Sequence, residues 1–312
     1  MKHILSPRLA FAAALGTAIP APTPRPPVLA KPSVVTTTPD LGAIAKEIGG
    51  DLIDVKTLAK PSEDPHFVDA KPSHVVTLNR ADMLIEGGAE LEIGWLPPLL
   101  ESARNAKIGA GSPGLVYASQ DIRMLEVPTT LDRSRGDVHA LGNPHFLMDP
   151  QNAKIVAGEI ADHLAQVDPK SAATYKANLA QFNARIDAKA GEWEKALAPF
   201  KGAKLVTYHN DFVYFANRFG FQILETLEPK PGIAPSAAHI AKVIATMKSN
   251  DAKVILVQPY QNRKTAETVA RQADAVVVDV SQQPGAYKNT NTYVELMDTL
   301  VHTIASALQE KK

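Results

Sequence analysis

The sequence SVVTTTPDLGAIAKEIGGDLIDVKTL, residues 33–58, determines the fold class. It opens with a β-branched run that is typical of a strand and continues into apolar residues at helical spacing. Pro39 fits the first position of that helix, and Gly49 fits its C-terminal end. A second strand is predicted over 52–58. A strand, a helix and another strand in succession form the repeating unit of a mostly parallel sheet.

The same alternation recurs along the chain. A short helix is predicted over 72–81 and a strand over 82–88. In the last third, three near-continuous apolar runs predict strands that are covered on both faces. These runs are AKLVTY (203–208), KVILVQ (253–258) and AVVVDV (275–280). Helices are predicted over 235–250 and 262–273, and a last helix carries its apolar stripe from Tyr293 to Ile304.

Residues 150–198 carry almost no strand pattern and predict two helices, separated at Asp168-Pro169. The second, over 168–198, would be about 45 Å long at 1.5 Å per residue, which is long enough to cross between two lobes. We therefore predict an α/β protein in which two Rossmann-like lobes with mostly parallel sheets are joined by one long rigid helix. The predicted lobes are 31–167 and 199–312. Open α/β sheets bind ligands at the carboxyl ends of their strands, so we expect a site in the interlobe cleft.

The first 30 residues resemble a secretory signal peptide. Lys2 and Arg8 give a positive start, an apolar run follows over 9–19, and alanines suitable for cleavage come next. Eleven residues cover about half of a bilayer core, so this run is too short to be a membrane helix. We expect a periplasmic protein whose signal peptide is cleaved, although an unstructured leader is the alternative interpretation.

Composition excludes several classes of function. The chain has 33 basic and 33 acidic residues, so it lacks the positive surface typical of proteins that bind nucleic acid or anionic lipid. It has no cysteine, which excludes disulfides, thiolate metal sites, a cysteine nucleophile and a lipid anchor on cysteine. Any metal must therefore be bound through nitrogen and oxygen.

Four residues near predicted strand ends are candidate ligands: His66, His145, His209 and Asp279. They are 79, 64 and 70 residues apart, so only the fold could bring them together. A single loop histidine is more often solvated or locally hydrogen-bonded. The charge of Asp279 follows an apolar run, and burying it unpaired would cost several kcal/mol. A backbone donor, an arginine or a divalent cation could each be its partner.

Five segments together resemble the zinc/manganese-binding solute receptors of bacterial metal ABC transporters. They are DPHFVDAKPS (64–73), ADMLIEGGAELEIGW (81–95), GNPHFLMDPQNAKIVAGEIADHL (142–164), TYHNDFVYFANRFGF (207–221) and VQPYQNRKTAETVARQA (257–273). The resemblance covers essentially residues 33–310. It implies a metal held between two α/β lobes that one long helix links, in agreement with the periodicity. The chain departs from the family pattern at Gln258, at Ala234 and at FLM (146–148), which puts the surroundings of the ligands in doubt.

Carried over by this resemblance, the family's ligands fall on His66, His145, His209 and Asp279. His139 lies in the loop that is histidine-rich in some zinc-type members, so it is a candidate auxiliary ligand. Three imidazoles and a carboxylate favour Zn²⁺ over Mn²⁺, which prefers more oxygen ligands.

The predicted function is capture of Zn²⁺ as cargo and its delivery to an ABC transporter permease with its cytoplasmic ATPase. The resemblance and composition further imply a monomer without nucleic-acid partners, for which a metallochaperone is another candidate partner. A receptor for Mn²⁺ or Fe²⁺ and a metal-dependent adhesin remain alternatives. A zinc hydrolase would use Glu63, Asp64 or Asp211 as its base, but four protein ligands leave no open position on the metal and no HExxH motif occurs. We therefore predict that the protein is not an enzyme.

Overall fold

The computed structural model describes residues 31–129, 139–230 and 232–311 of the chain. The predicted signal peptide, residues 1–30, lies outside the described residues. Among the described residues, no helix is both long enough and apolar enough to cross a bilayer.

Two parallel four-stranded sheets form the framework. The first has the strand order β2-β1-β3-β4 and the second has the order β6-β5-β7-β8, so the two sheets share one topology. The strands of the first sheet are β1 (Ser33–Thr36), β2 (Asp54–Thr57), β3 (Met83–Glu86) and β4 (Leu115–Tyr117). Those of the second sheet are β5 (Lys204–Thr207), β6 (Gln222–Thr226), β7 (Val254–Val257) and β8 (Val276–Asp279).

Nine α-helices are present in the described part of the chain. Around the first sheet and between the sheets lie α1 (Pro39–Gly49), α2 (Pro72–Asn79), α3 (Leu96–Ala103), α4 (Pro150–Val167) and α5 (Ala172–Leu197). The remaining helices are α6 (Val213–Phe219), α7 (Ala237–Asn250), α8 (Arg263–Ala273) and α9 (Tyr293–Glu310). Pro39 begins α1 and Gly49 ends it, which confirms that prediction.

Each sheet is covered on both faces, because neighbouring residues of a strand point to opposite sides. Val34 of β1 belongs to a central core, whereas Val35 packs in a second cluster with Leu99 of α3. In the second sheet, Leu205 of β5 joins the same central core, and Val206 packs with residues of α7 and α8. The predicted α/β class with two parallel sheets is confirmed.

The linking helix α5 runs through the central core. It has 26 residues, which corresponds to about 39 Å. Tyr175, Phe182 and Trp193 are buried on it, and the same cluster contains core residues of both sheets and of α9. One long helix therefore joins the two sheets, as predicted. Because residues 31–312 form one compact unit, the lobe boundaries at 167 and 199 stay predictions.

Candidate metal centre

Two of the predicted ligands lie in loops that follow strands, and a third lies just before a helix. His66 lies in the loop after β2, and His209 follows β5 directly. His145 precedes a short 3₁₀ turn, Phe146–Met148, which leads into α4. The carboxyl ends of parallel strands meet at one edge of a sheet, so these loops face a common space.

The three histidines converge. The ring centres of His66 and His145 are 5.1 Å apart, those of His66 and His209 are 5.2 Å apart, and those of His145 and His209 are 5.3 Å apart. One side-chain nitrogen from each ring lies within 4.8 Å of the other two. Within the described ranges, this is the one group of three or more histidine or acidic side chains that could hold a metal ion.

Each ring is oriented by an oxygen atom at its Nδ1. Asp64 Oδ1 lies 2.8 Å from Nδ1 of His66, and Glu228 Oε2 lies 2.8 Å from Nδ1 of His209. Gln282 Oε1 lies 3.0 Å from Nδ1 of the third ring. Since these oxygens accept hydrogen bonds, the arrangement places the proton on Nδ1 and the lone pair on Nε2. Metal-binding histidines are oriented in this way.

The free nitrogens are buried. Nε2 of His66 and Nε2 of His145 have no hydrogen-bond partner among the described residues. Leaving a buried polar atom unpaired costs about 1–3 kcal/mol, so such atoms indicate a missing partner. The two nitrogens belong to the converging group, which makes a cation the partner that satisfies both.

The electrostatic surroundings differ from ring to ring. Burial holds the pKa of His145 well below its usual value, and the neighbouring histidines lower it further. This ring is therefore neutral at pH 7 and can donate its lone pair. Burial also lowers the pKa of His209, but the hydrogen bond from its ring to Glu228 and the charge of Asp211 outweigh that cost, and the net effect raises its pKa.

His139 lies beside the three rings, with its ring centre 5.3 Å from that of His66. Its Nε2 is buried and has no partner among the described residues. Burial lowers its pKa to about 4, and the charges of His66 and His209 act in the same direction. A hydrogen bond to the backbone of Glu90 holds the ring, and Ala140 N–H donates to the Glu90 carboxylate at 2.5 Å.

Asp279 does not join this group, so a fourth ligand at that position stays a prediction. It is the last residue of β8, its side chain is half exposed, and its Oδ1 accepts from Arg263 Nη1 at 2.6 Å. Val278 and Val280 on either side are buried. The alternation of the strand therefore directs Asp279 away from the histidines, and an arginine is its partner.

Sequence reasoning missed the side chains that hold the rings. Gln282 comes three residues after Asp279, in a run of buried polar residues, Ser281–Gln283. Glu228 follows β6, a strand that the apolar pattern did not predict. Asp64 is two residues before His66, but we considered it only as a base. Nothing local in the sequence distinguishes Gln282 and Glu228 from surface residues.

The supporting loops are fixed by contacts with the core. Trp95 Nε1–H donates to the carbonyl of Pro65 at 2.9 Å, which holds the loop of His66. Arg218 of α6 donates twice to the carboxylate of Asp149, at 2.8 Å each, and Asp149 also caps α4. Asn143 Oδ1 accepts from the backbone N–H of His145. The site is therefore largely formed before an ion arrives.

A sequence profile for the family described as ZnuA, zinc-uptake complex component A, periplasmic, matches residues 34–307. The chain belongs to this family. Membership confirms the resemblance that the five segments indicated, and the family's periplasmic description places the protein outside the cytoplasm. It also makes the protein the solute-binding part of a transport complex.

Two relatives of this ZnuA family member match over nearly the full length of both chains. The iron-binding protein YfeA of Yersinia pestis is 27% identical over 95% of this chain and 93% of its own. The high-affinity zinc uptake system protein ZnuA of Paracoccus denitrificans (strain Pd 1222) is 27% identical, over 96% and 97% respectively. A crystal structure of ZnuA shares the fold, with a TM-score of 0.74 and 24% identity over 89% of this chain and 99% of that chain.

Proposed function

We propose that this protein is a receptor that captures Zn²⁺ outside the cytoplasm and delivers it to the permease of an ABC transporter. The observation that carries the proposal is the convergence of one nitrogen each from His66, His145 and His209 within 4.8 Å. Tetrahedral Zn²⁺ with ligands at about 2.0–2.1 Å needs nitrogen atoms roughly 3.4 Å apart, so small ring rotations would complete the cage.

His139 is the side chain we propose as the fourth ligand. Its free, buried Nε2 lies on the side of His66. Asp211 also has a buried oxygen without a partner, but its other oxygen accepts from Gln258 and Gln261, and it does not join the converging group. Four imidazoles would form a closed site, as expected for a receptor that holds its cargo and does not react with it.

A set of nitrogen donors favours zinc over manganese, which binds preferentially to oxygen. Of the two relatives described above, one is named for iron and the other for zinc. The ring set of His66, His145 and His209 contains no carboxylate, so this chain fits the zinc members better. The metal content of the protein purified from its native compartment tests this, because most sites bind Zn²⁺ more tightly than Mn²⁺ in vitro whatever their cargo. We expect zinc at one ion per chain, and manganese in its place would contradict the assignment.

The ligand assignment is tested by single alanine variants. We expect His66→Ala, His145→Ala and His209→Ala each to weaken zinc binding by more than the roughly 10–100-fold that losing a ligand's hydrogen-bond partner costs. His139→Ala should weaken it less, because the converging group of His66, His145 and His209 stays complete. His302→Ala, at an exposed ring that contacts the carbonyl of Asp298, is the matched control and should bind as the unchanged protein does. Full-strength binding by the triple variant of the first three would refute the site.

The acids once considered as catalytic bases are engaged in other contacts, which supports a role without catalysis. Glu63 bonds with Lys60, Asp64 orients His66, and Asp211 accepts from Gln258. We expect no turnover when the zinc-loaded protein is incubated with ester, phosphoester or peptide substrates. Measurable hydrolysis that tracks zinc content would contradict the receptor proposal.

Delivery completes the proposed function. The partners are the permease and the cytoplasmic ATPase of the transporter, and the receptor acts as a monomer after its leader is cleaved, without a lipid anchor. A metallochaperone that loads it is a further proposed partner. Growth of a deletion strain under zinc chelation should be restored by the unchanged gene and not by the His145→Ala gene. Equal restoration by both would refute delivery through this site.

A further inference from the structure

A network of hydrogen bonds joins the loop of His145 to the loop of His209, and Asn143 lies at its centre. The Asn143 side chain is buried, and its Nδ2 donates at 2.7 Å to the carbonyl of Asn210, the residue after His209. Its Oδ1 accepts from the backbone N–H of His145 at 3.0 Å. One side chain therefore bonds to the backbone beside two of the three converging ligands.

The carboxylate of Glu126 completes this network. Its Oε2 accepts from Nδ2 of Asn143 at 3.1 Å and from Nδ2 of Asn210 at 2.6 Å. Hydrogen bonds to an ionised acceptor are roughly twice as strong as those between neutral groups. Asn143 lies two residues before one ligand, and Asn210 lies one residue after the other. Glu126 therefore acts on the spacing of the two rings through the two asparagines.

The backbone of Glu126 supports a role for its side chain. Its φ is 54°, in the left-handed region, which is costly for a residue with a Cβ atom and free for glycine. The facing residue Gly142 has a φ of 109°, and a Cβ atom there would lie 2.9 Å from the carbonyl oxygen of Leu125. Glycine thus stands where only the backbone matters. A glutamate in the left-handed region indicates that its carboxylate compensates for the strain.

The segment that carries Glu126 is fixed independently of the carboxylate. Tyr214 of α6 is buried, and its hydroxyl donates to the carbonyl of Asn143 at 2.8 Å and accepts from the N–H of Leu125 at 2.9 Å. The N–H of Asn143 also donates to the carbonyl of Leu125 at 2.9 Å. The backbone around Glu126 should therefore keep its place when the side chain is removed.

The support of His66 comes from a different part of the chain. Its ring is oriented by Asp64 and its loop is held by Trp95, both from the first 100 residues. Neither of these bonds includes a member of the Asn143 network. The three ligands therefore divide into a pair whose loops are bonded to each other and a third ligand with its own support.

We propose that Glu126 is a positioning residue for metal binding, and that it joins the loops of His145 and His209 into a preformed pair of ligands. When two ligands are already held at a fixed spacing, the ion does not have to order them, and preorganisation of this kind raises affinity. The identity of the ion as zinc cargo rests on the proposed function.

Glu126→Gly tests the proposal, because it removes the carboxylate and relaxes the backbone at once. We expect zinc affinity to fall by about tenfold, as for loss of a group that supports a ligand. The midpoint of urea unfolding should stay nearly constant, since the relaxed backbone offsets the lost hydrogen bonds. Glu126→Gln keeps an oxygen that accepts from both asparagines and should retain most of the affinity.

Asp251→Gly is the matched control. Asp251 is an exposed acid with a φ of 53°, and it lies before the amino end of β7, whereas the ligands follow the carboxyl ends of strands. This variant relaxes the same backbone conformation and removes the same charge. It should bind zinc as the unchanged protein does.

A double-mutant cycle decides whether Glu126 acts through the pair. Glu126→Gly is combined with His66→Ala and, separately, with His145→Ala, and zinc dissociation constants are measured by calorimetry. The loss of about tenfold should persist beside His66→Ala, where the pair is intact, and disappear beside His145→Ala, where no pair remains to be positioned. A residue that merely stabilises the fold would produce the same loss in both backgrounds.

The outcomes separate this inference from the proposed function. Equal losses in both backgrounds, or zinc binding by Glu126→Gly as tight as that of the unchanged protein, would overturn the positioning role alone. If the cycle gives the expected pattern but the unchanged gene fails to restore growth under zinc chelation, the positioning role stands and delivery to a transporter is overturned.

Discussion

Replacing Glu228 by glutamine tests how the protein sets the affinity of its cargo site. Glu228 Oε2 lies 2.8 Å from His209 Nδ1, and both side chains are largely buried, at 14% and 13% exposed. Glutamine keeps the shape and the accepting oxygen but removes the charge. Loss of such a partner lowers metal affinity by about 10–100-fold, and since the hydrogen bond is retained we expect the lower end, about tenfold at pH 8.

The same variant should behave differently in acid. The hydrogen bond to Glu228 contributes to the raised pKa of His209, so the unchanged protein begins to lose zinc to protons at a higher pH than the variant does. The difference in affinity should therefore be about tenfold at pH 8 and smaller at pH 5.5. Competition with a fluorescent chelator across this range measures both values. Glu225→Gln, at a mostly buried carboxylate of β6 that pairs with Lys242, should show no difference at either pH. A tenfold loss that stays constant with pH would refute this reasoning.

Three further predictions concern stability. Zinc at 100 times its dissociation constant should stabilise the fold by about 2.7 kcal/mol, measured by urea unfolding with and without metal, and the His145→Ala variant should show almost no gain. Arg218→Leu removes both guanidinium donors to the buried carboxylate of Asp149 and should cost about 2–4 kcal/mol of unfolding free energy. A Lys107→Leu control, at an exposed ion pair with Asp82, should cost much less. Glu86→Gln should stabilise the fold by up to about 3–5 kcal/mol at pH 8.5 and by little at pH 4.5. The sign follows from burial and the nearby charge of Glu92, which raise the pKa of Glu86 to about 8. The folded state keeps a proton that the unfolded chain loses above about pH 4, so the stability of the unchanged protein falls as the pH rises through 8. Glutamine does not ionise, so the variant does not lose stability in this way. Equal effects of this variant at both pH values would contradict it.

The sequence was sufficient to predict those strands and helices that are set by the spacing of their own apolar residues. The β-branched run at 33–36 forms β1, and the apolar spacing after Pro39 forms α1, because strand and helix bury their apolar residues with different periods. Some short elements leave no such pattern. Helix α3 has eight residues with two prolines near its start, and its position depends on Leu99 packing under the first sheet.

The site shows the same division. His66 and His209 could be named because they follow predicted strands, His145 because it precedes a predicted helix start, and all three because they match a spaced family pattern. Asp279 could not be excluded, because the sequence does not tell which of the residues that end β8 turns inward. The structure brings in Gln282 instead, through a loop that folds back over His145. Contacts between residues more than 130 positions apart depend on the complete fold and leave no periodic signal in the chain.

The continuous core around α5 limits how an ion can enter or leave. Separating the two sheets as rigid halves would expose Tyr175, Phe182 and Trp193 to water, and burial of large side chains of this kind is worth about 1.5–3 kcal/mol each. Exchange of the cargo must then depend on brief excursions of the rim, such as the segment that Trp95 ties to Pro65. The residence time of the ion and the global stability of the fold therefore depend on separate sets of contacts. Selection could lengthen the residence time without altering the stability.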